Sequence, residues 1–348
     1  MMQSDKQTAV VICPGRGTYN QAELGYLARH EPSSSDFLSS IDKARAASGQ
    51  IPISELDAAE RFKARLHGSG DNASALIYAC ALADFQQIDC ERYDIIAVTG
   101  NSMGWYLALA CAGVLPGLSG FNVVNTMGTL MHNQGAGGQV IYPLFNADWQ
   151  LEDELVHFCD DVVARLNDET GVEIYHSIDL GGMIVFAANE QGVKRLLKEL
   201  PPQQDRFPFQ LQHHSAFHSP LLNHIPRIAK AELATNMFEV AQLPLIDGRG
   251  MIWQPRRYQT NSIYDYTFEH QVTQTYNFSK ALEVSLKEFA PDKLIVLGPG
   301  TTLGPPIAQE LIKQNWNGLN SKAEFQARQQ EDPFVLSMGI EAQRALVV

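Results

Sequence analysis

The feature that most constrains the fold is the run from Asp94 to Gly113, where DIIAVT meets Gly100-Asn101-Ser102-Met103-Gly104 and passes at once into WYLALACAG. The pattern predicts a buried strand, a tight turn and a helix, in that order. A Gly-x-Ser-x-Gly turn in that setting is a nucleophile elbow, in which the serine occupies a strained turn so that its hydroxyl protrudes. The glycines are required because a side chain at either place would collide with the neighbouring strand and helix. Ser102 is therefore the candidate nucleophile. A serine hydroxyl attacks poorly until a base takes its proton, so one of the ten histidines has to come within hydrogen-bond reach. His213, His214, His218 and His224 crowd one region. His214 and His218 have the i,i+4 spacing of a helical metal pair, but strand-like FPFQLQ and Pro220 flank them and the glutamate of a zinc-hydrolase helix is missing. No metal is expected.

Composition sets the frame around this turn. A chain of 348 residues is long enough for about two domains at ~150 residues each. With 45% hydrophobic and 19% charged residues it belongs with folded globular chains. Lys and Arg number 26 against 39 Asp and Glu, a net charge of -13, which works against broad adhesion to nucleic acid or to an anionic membrane. The five cysteines are scattered, odd in number and form no CxxC pair, the usage of a reduced, cytosolic protein. The start MMQSDKQT leads into only AVVIC before Pro14, too short for a signal-peptide core or a membrane span. A cytoplasmic location is expected.

Thr8 to Cys13 is a β-branched run stopped by Pro14-Gly15-Arg16-Gly17, which predicts a mid-sheet strand feeding a tight loop. Residues 20 to 70 have helical spacing, broken at Pro32 and the three serines after it, and a helix is expected from Ser74 to Gln87. From about 139 to 214 the order is QVIYPLF strand, helix Leu151 to Leu166, strands VEIYHSI and GMIVFAA, helix Glu190 to Leu200, strand FPFQLQ. That βαββαβ order is ferredoxin-like, inserted into a larger α/β unit. The expected organisation is a large subdomain of residues 1–135 and 205–348 around a small one of residues 136–204, with Gly135–Gly138 and Pro201-Pro202 as linkers. Beyond it, Leu221 to Met237 is expected helical, LPLI a strand, Phe278 to Phe289 a helix, and KLIVLGPG a buried strand ending in a glycine turn.

Four ordered segments carry a family resemblance over nearly the whole chain. GNSMGWYLALACAGVL resembles the elbow segment of the malonyl-CoA:acyl carrier protein transacylases and of polyketide synthase acyltransferase domains. Cys13–Thr18 (CPGRGT) is similar to their FPGQGSQ, Ser215–Leu221 (SAFHSPL) to their AFHSPLM, and Gly298–Leu303 (GPGTTL) to their GPGxxL. The resemblance implies an α/β-hydrolase-like core with an inserted ferredoxin-like subdomain. It implies that Ser102 attacks an acyl thioester with His218 as base, in a ping-pong transfer from coenzyme A to a carrier-protein thiol. It further implies an oxyanion hole from the backbone N–H groups of Met103 and Arg16, and a histidine oriented by the backbone carbonyl of Gln271. Coenzyme A enters as substrate; no tightly bound cofactor is implied.

The departures from the family pattern bear on the acyl group. The arginine that holds a malonyl carboxylate is replaced by Met127 in MGTLMH, with Met131 on the family's methionine. Loss of that planar fork points to a neutral acyl group, since an unpaired buried carboxylate is costly. Asn101, Trp105 and Arg16 replace the family's histidine, glutamate and glutamine around the nucleophile. Asn101, Trp105, Met127, Met131 and Phe217 are the expected acyl-pocket residues. Arg16 offers an alternative carboxylate partner, and Ala216-Phe217-His218 keeps the malonyl-type pattern, so both acyl classes stay open. RGMIWQPRR, Arg249 to Arg257, is a candidate docking surface for an acidic acyl carrier protein, or a solvated loop. Rival functions are an acyl hydrolase of the same family, a non-catalytic synthase subunit, and a carboxylesterase using Asp179 or Asp205.

Overall fold

The computed structural model describes residues 6–30 and 36–348. The polar start at Met1–Asp5 and the break expected at Pro32 lie outside the described residues. β1 (Gln7–Cys13) leads through the PGRG turn into short helices α1 (Tyr26–His30), α2 (Asp36–Ala47), α3 (Ile53–Asp57) and α4 (Ala64–His67), then α5 (Gly70–Gln86), β2 (Tyr93–Gly100), α6 (Gly104–Cys111) and α7 (Leu118–Gln134). Next come β3 (Gly138–Pro143), α8 (Asp153–Asn167), β4 (Ile174–Leu180), β5 (Met183–Ala188), α9 (Glu190–Glu199) and β6 (Phe209–Leu211). The chain returns through α10 (Ile225–Glu232), β7 (Leu245–Ile246), β8 (Ile252–Trp253), α11 (Thr260–Phe268), α12 (His270–Thr273), β9 (Tyr276–Asn277) and α13 (Phe278–Phe289). It finishes with β10 (Lys293–Val296), α14 (Gly304–Lys313), α15 (Lys322–Glu331), β11 (Val335–Ser337) and α16 (Glu341–Val347).

The larger sheet has the order β11-β10-β1-β2-β7-β8, parallel except for the β7–β8 hairpin. Burial on both faces explains the unbroken apolar run in β1, whose Ala9 to Cys13 are fully buried mid-sheet. α5 is buried along nearly its whole length, as its alanine-rich, nearly uncharged sequence requires, and packs on α7. Gly128 of α7 permits this approach: a Cβ there would meet Gly70 O at 2.5 Å and the Ser74 hydroxyl at 2.8 Å.

The smaller sheet has the order β6-β3-β5-β4-β9. Its first four strands, with α8 and α9, have the ferredoxin-like arrangement around a separate apolar cluster that includes Val140, Tyr142, Phe186 and Leu196. Strand pairing runs beyond residue 204, because β6 hydrogen-bonds to β3. β9 adds a parallel fifth strand beside β4. The molecule is thus an α/β-hydrolase-like core with a ferredoxin-like small subdomain.

The expected helix from Leu221 to Met237 is broken. α10 covers only Ile225–Glu232, with 3-10 turns at Pro220–Leu222 and Thr235–Met237. Pro226 lies in the first turn of α10, where a missing N–H costs nothing. Among the described residues no helix is long and apolar enough to cross a membrane.

Candidate active site

β2 ends at Gly100 and α6 begins at Gly104, and the three residues between them make the turn. Ser102 has φ +57°, the left-handed region that costs an L-residue and concentrates at functional turns. Both glycines are sterically fixed. A Cβ on Gly100 would run into the Gly104 backbone, and one on Gly104 into the Cys13 carbonyl at the end of β1. Asn101 N–H donates to that same Cys13 carbonyl at 3.1 Å, so the elbow is pinned to the PGRG turn.

His218 also has positive φ, +55°, and is 4% exposed. Its Nε2 lies 2.6 Å from Ser102 Oγ and its Nδ1 lies 2.5 Å from the Gln271 carbonyl. A carbonyl only accepts, so Nδ1 carries the proton, leaving the Nε2 lone pair to receive the serine hydroxyl. Burial pushes the imidazole down to about 4, with the Gln271 carbonyl acting in the opposite sense and His270 adding a little repulsion. The ring is neutral at pH 7 and ready to accept a proton. The Gln271 side chain is fixed as well: its Nε2 donates to Ser102 O at 3.0 Å and its Oε1 accepts from the Tyr106 hydroxyl at 2.9 Å.

Neither Asp179 nor Asp205 hydrogen-bonds to His218, which is occupied by Ser102 and Gln271. His214 turns instead to Gln139 Oε1 at 2.9 Å, so the i,i+4 histidines do not converge. The backbone N–H groups of Arg16 and Met103 hydrogen-bond to nothing among the described residues, and both residues line the cavity beside Ser102.

That cavity is narrow, with room of about 40 Å³. Met127, 2% exposed, Met131 and Phe217 line it, as do Ser74 and Tyr106, which the sequence did not single out. Tyr106 was findable, because it stands in the first turn of the helix that the elbow opens. Ser74 gave no signal beyond its place in a helix. Two expected pocket residues lie elsewhere. Trp105 is fully buried, with its indole N–H on Thr267 Oγ1 at 3.0 Å and Tyr266 edge-on at 5.2 Å. Asn101 faces an outer cleft of about 640 Å³, which runs between the two sheets past Ser102 and is lined by Ile141, Arg206 and Pro306 among others.

Arg16 borders both spaces. Its Nη2 donates to Gly68 O at 3.0 Å and its guanidinium lies 5.6 Å from the Phe217 ring centre. Burial lowers its pKa to about 10, against the attraction of Asp71. Of the basic loop, Arg249 is committed to Asp247 at 2.6 Å and lies 4.2 Å from the Tyr266 ring centre, while Arg256 and Arg257 are exposed.

A strained serine beside a neutral histidine at the end of a parallel sheet places the molecule in the α/β-hydrolase-like class, here with a small subdomain over the cleft. No family model matches the sequence, and no curated protein matches it. Solved structures share the fold over the full chain. The malonyl-CoA:ACP transacylase of Synechocystis superposes with a TM-score of 0.72 at 16% identity, covering 98% of this chain and 100% of that one. The malonyl-CoA:acyl carrier protein transacylase of Xanthomonas oryzae gives 0.72 at 16% identity, with 98% and 97% covered. The acyl-carrier-protein S-malonyltransferase of Burkholderia pseudomallei gives 0.71 at 18% identity, with 97% and 98% covered.

Proposed function

We propose that the protein is an acyl-CoA:acyl carrier protein S-acyltransferase working through an ester on Ser102. The observation that carries this reading is the chain of contacts from Ser102 Oγ to His218 Nε2 and from His218 Nδ1 to the Gln271 carbonyl. As His218 takes the hydroxyl proton, Ser102 Oγ bonds to the thioester carbon, and the resulting oxyanion is held by the N–H groups of Arg16 and Met103. Collapse breaks the carbon–sulfur bond, and the departing thiolate of coenzyme A takes the proton from His218. A carrier-protein thiol then enters, gives its proton to His218, attacks the ester and leaves as the new thioester while the proton returns to Ser102.

The long cleft between the sheets suits the extended arm common to coenzyme A and a carrier protein. Exposed Arg256 and Arg257 are the docking candidates for an acidic carrier protein. The buried Met127 in the cavity wall supports the neutral acyl group expected from the sequence; Arg16 in the same wall favours a charged one.

The test is intact mass after incubation with acyl-CoAs, followed by addition of a carrier protein. An acyl adduct on the wild type that is absent from Ser102→Ala and is discharged faster by carrier thiol than by water is the expected result. Discharge to water at the same rate with or without carrier would make the protein a hydrolase. Absence of any adduct from acyl-CoA and acyl-carrier donors alike would leave a non-catalytic synthase subunit.

A further inference from the structure

Ile307 and Leu311 of α14 belong to the main apolar core, and Glu310 beside them is 1% exposed. A carboxylate is rarely buried so completely unless it is paired. Glu310 Oε1 accepts from Gln314 Nε2 at 2.7 Å, but Oε2 is buried without a hydrogen bond. Lys313 Nζ stands 3.8 Å from it, outside hydrogen-bond range. Glu310 lines a cavity of about 250 Å³ between α13 and α14 of the large subdomain and α8, β4 and β5 of the small one. Ser102 and His218 are not among the residues that line it.

We propose that this cavity is a second ligand site, which takes a small organic cation, a primary ammonium on a short apolar chain, with its charge on Glu310 and Asp179. The site stands apart from the acyl-transfer reading of Ser102.

Asp179, near the end of β4, lines the same cavity and its side chain makes no hydrogen bond or ion pair among the described residues. Burial pushes both carboxyls up; Lys313 opposes the rise at Glu310, and His176 and Lys313 oppose it at Asp179. That is the sign for carboxylates short of a counter-charge. The third carboxylate, Glu283, is not short of one: Lys280 reaches it at 3.0 Å and Lys287 at 2.9 Å. Lys280 is committed by the same contact. Lys313, with its side chain 41% exposed, is the rival cation at the cavity.

The facing wall is apolar, made by Leu144, Leu151, Val156 and Met183. An ammonium brings three donors and no acceptor, which suits one orphaned carboxylate oxygen and a second unpartnered carboxylate, while the apolar wall suits the chain that carries it. Among the described residues no three His, Cys, Asp or Glu side chains are grouped to hold a metal ion, so this donor set fits an organic cation and not a bare metal.

The test is ligand-observed NMR titration of the full chain with n-butylammonium chloride, with n-butanol and sodium butyrate as controls. Saturable binding of n-butylammonium alone is expected. Its affinity should fall about tenfold or more in Glu310→Gln, the loss for a charge-assisted hydrogen bond, and should rise in Lys313→Met, which removes the rival cation. If Glu310→Gln does not fold, as judged by its thermal unfolding curve, Asp179→Asn on the other wall decides in the same way. No saturable binding, equal binding of n-butanol, an affinity unchanged by the carboxylate variant, or unchanged or weaker binding in Lys313→Met would each overturn the proposal.

Discussion

His218 is where the residue scale gives a signed prediction. The ordinary imidazole titrates near ~6.5, but burial holds this one at about 4. A base works only while unprotonated, so single-turnover acylation should stay flat as pH falls through the usual histidine range and drop only towards about 4. A stopped acylation assay after a pH jump checks this; an acid limb near 6.5 would mean that His218 is solvated in the working enzyme or is not the base. The residues of this relay were legible from motifs, because the elbow fixes Ser102 and the AFHSPL-like segment fixes His218. Trp105 and Asn101 were misplaced for a geometric reason. Trp105 and Tyr106 are consecutive on α6 and so point to different faces, Tyr106 to the chamber and Trp105 to Thr267, while Asn101 lies in the turn before α6 and faces the outer cleft.

At the scale of elements, the site depends on α6 and α12 meeting through Gln271. The four-residue α12 was invisible to periodicity, being shorter than one full hydrophobic repeat, and Gln271 is 3% exposed where a solvent-facing residue was equally compatible with the sequence. Its two functions separate. The backbone carbonyl orients His218, while the side chain ties Ser102 O to the Tyr106 hydroxyl. Gln271→Ala keeps the carbonyl and strands the tyrosine hydroxyl, so stability should fall by about 1–3 kcal/mol and the acylation rate should drop while the acid limb stays near its wild-type position. Chemical denaturation and the pH profile together check this, and a limb shifted to the ordinary range would assign the side chain a share in setting the histidine pKa. Gly104→Ala is the harsher change. Its Cβ would enter the Cys13 carbonyl of β1, a backbone atom that cannot rotate away, so a loss of about 3 kcal/mol or more in unfolding free energy is expected. Long, strongly patterned elements such as β1, β2 and α13 were readable because burial alone dictates their residues; α10 and its flanking turns were not, because Pro220, Pro226 and local packing cut one apolar pattern into three pieces.

For the whole molecule, the question is what holds the glycine turn after β10 and the last helix to the core, far from the elbow in sequence. Asp84, near the end of α5, is 0% exposed. It accepts from Arg344 Nη1 of α16 at 2.6 Å, from the Tyr26 hydroxyl at 2.7 Å and from Gly298 N–H at 2.8 Å. One carboxylate thus joins α1, α5, the GPG turn and α16, which gives that turn a structural task that the motif did not reveal. Burial raises the Asp84 pKa and Arg344 opposes the rise. Arg344→Met removes the opposing charge, so the loss should be about 3–5 kcal/mol and should depend on pH. In the variant the folded carboxyl holds its proton above the ordinary range, whereas the unfolded one ionises near ~3.9. Between those two values the native state binds more protons, so stability falls as pH rises. The penalty measured by denaturant unfolding should therefore be smaller at pH 5 than at pH 8, and Asp84→Leu/Arg344→Met should recover much of it at both. A penalty independent of pH would mean that Arg344 acts through packing of its stem over the Tyr26 ring, 5.9 Å away, and that the four elements are held by contact area instead of by the shared carboxylate.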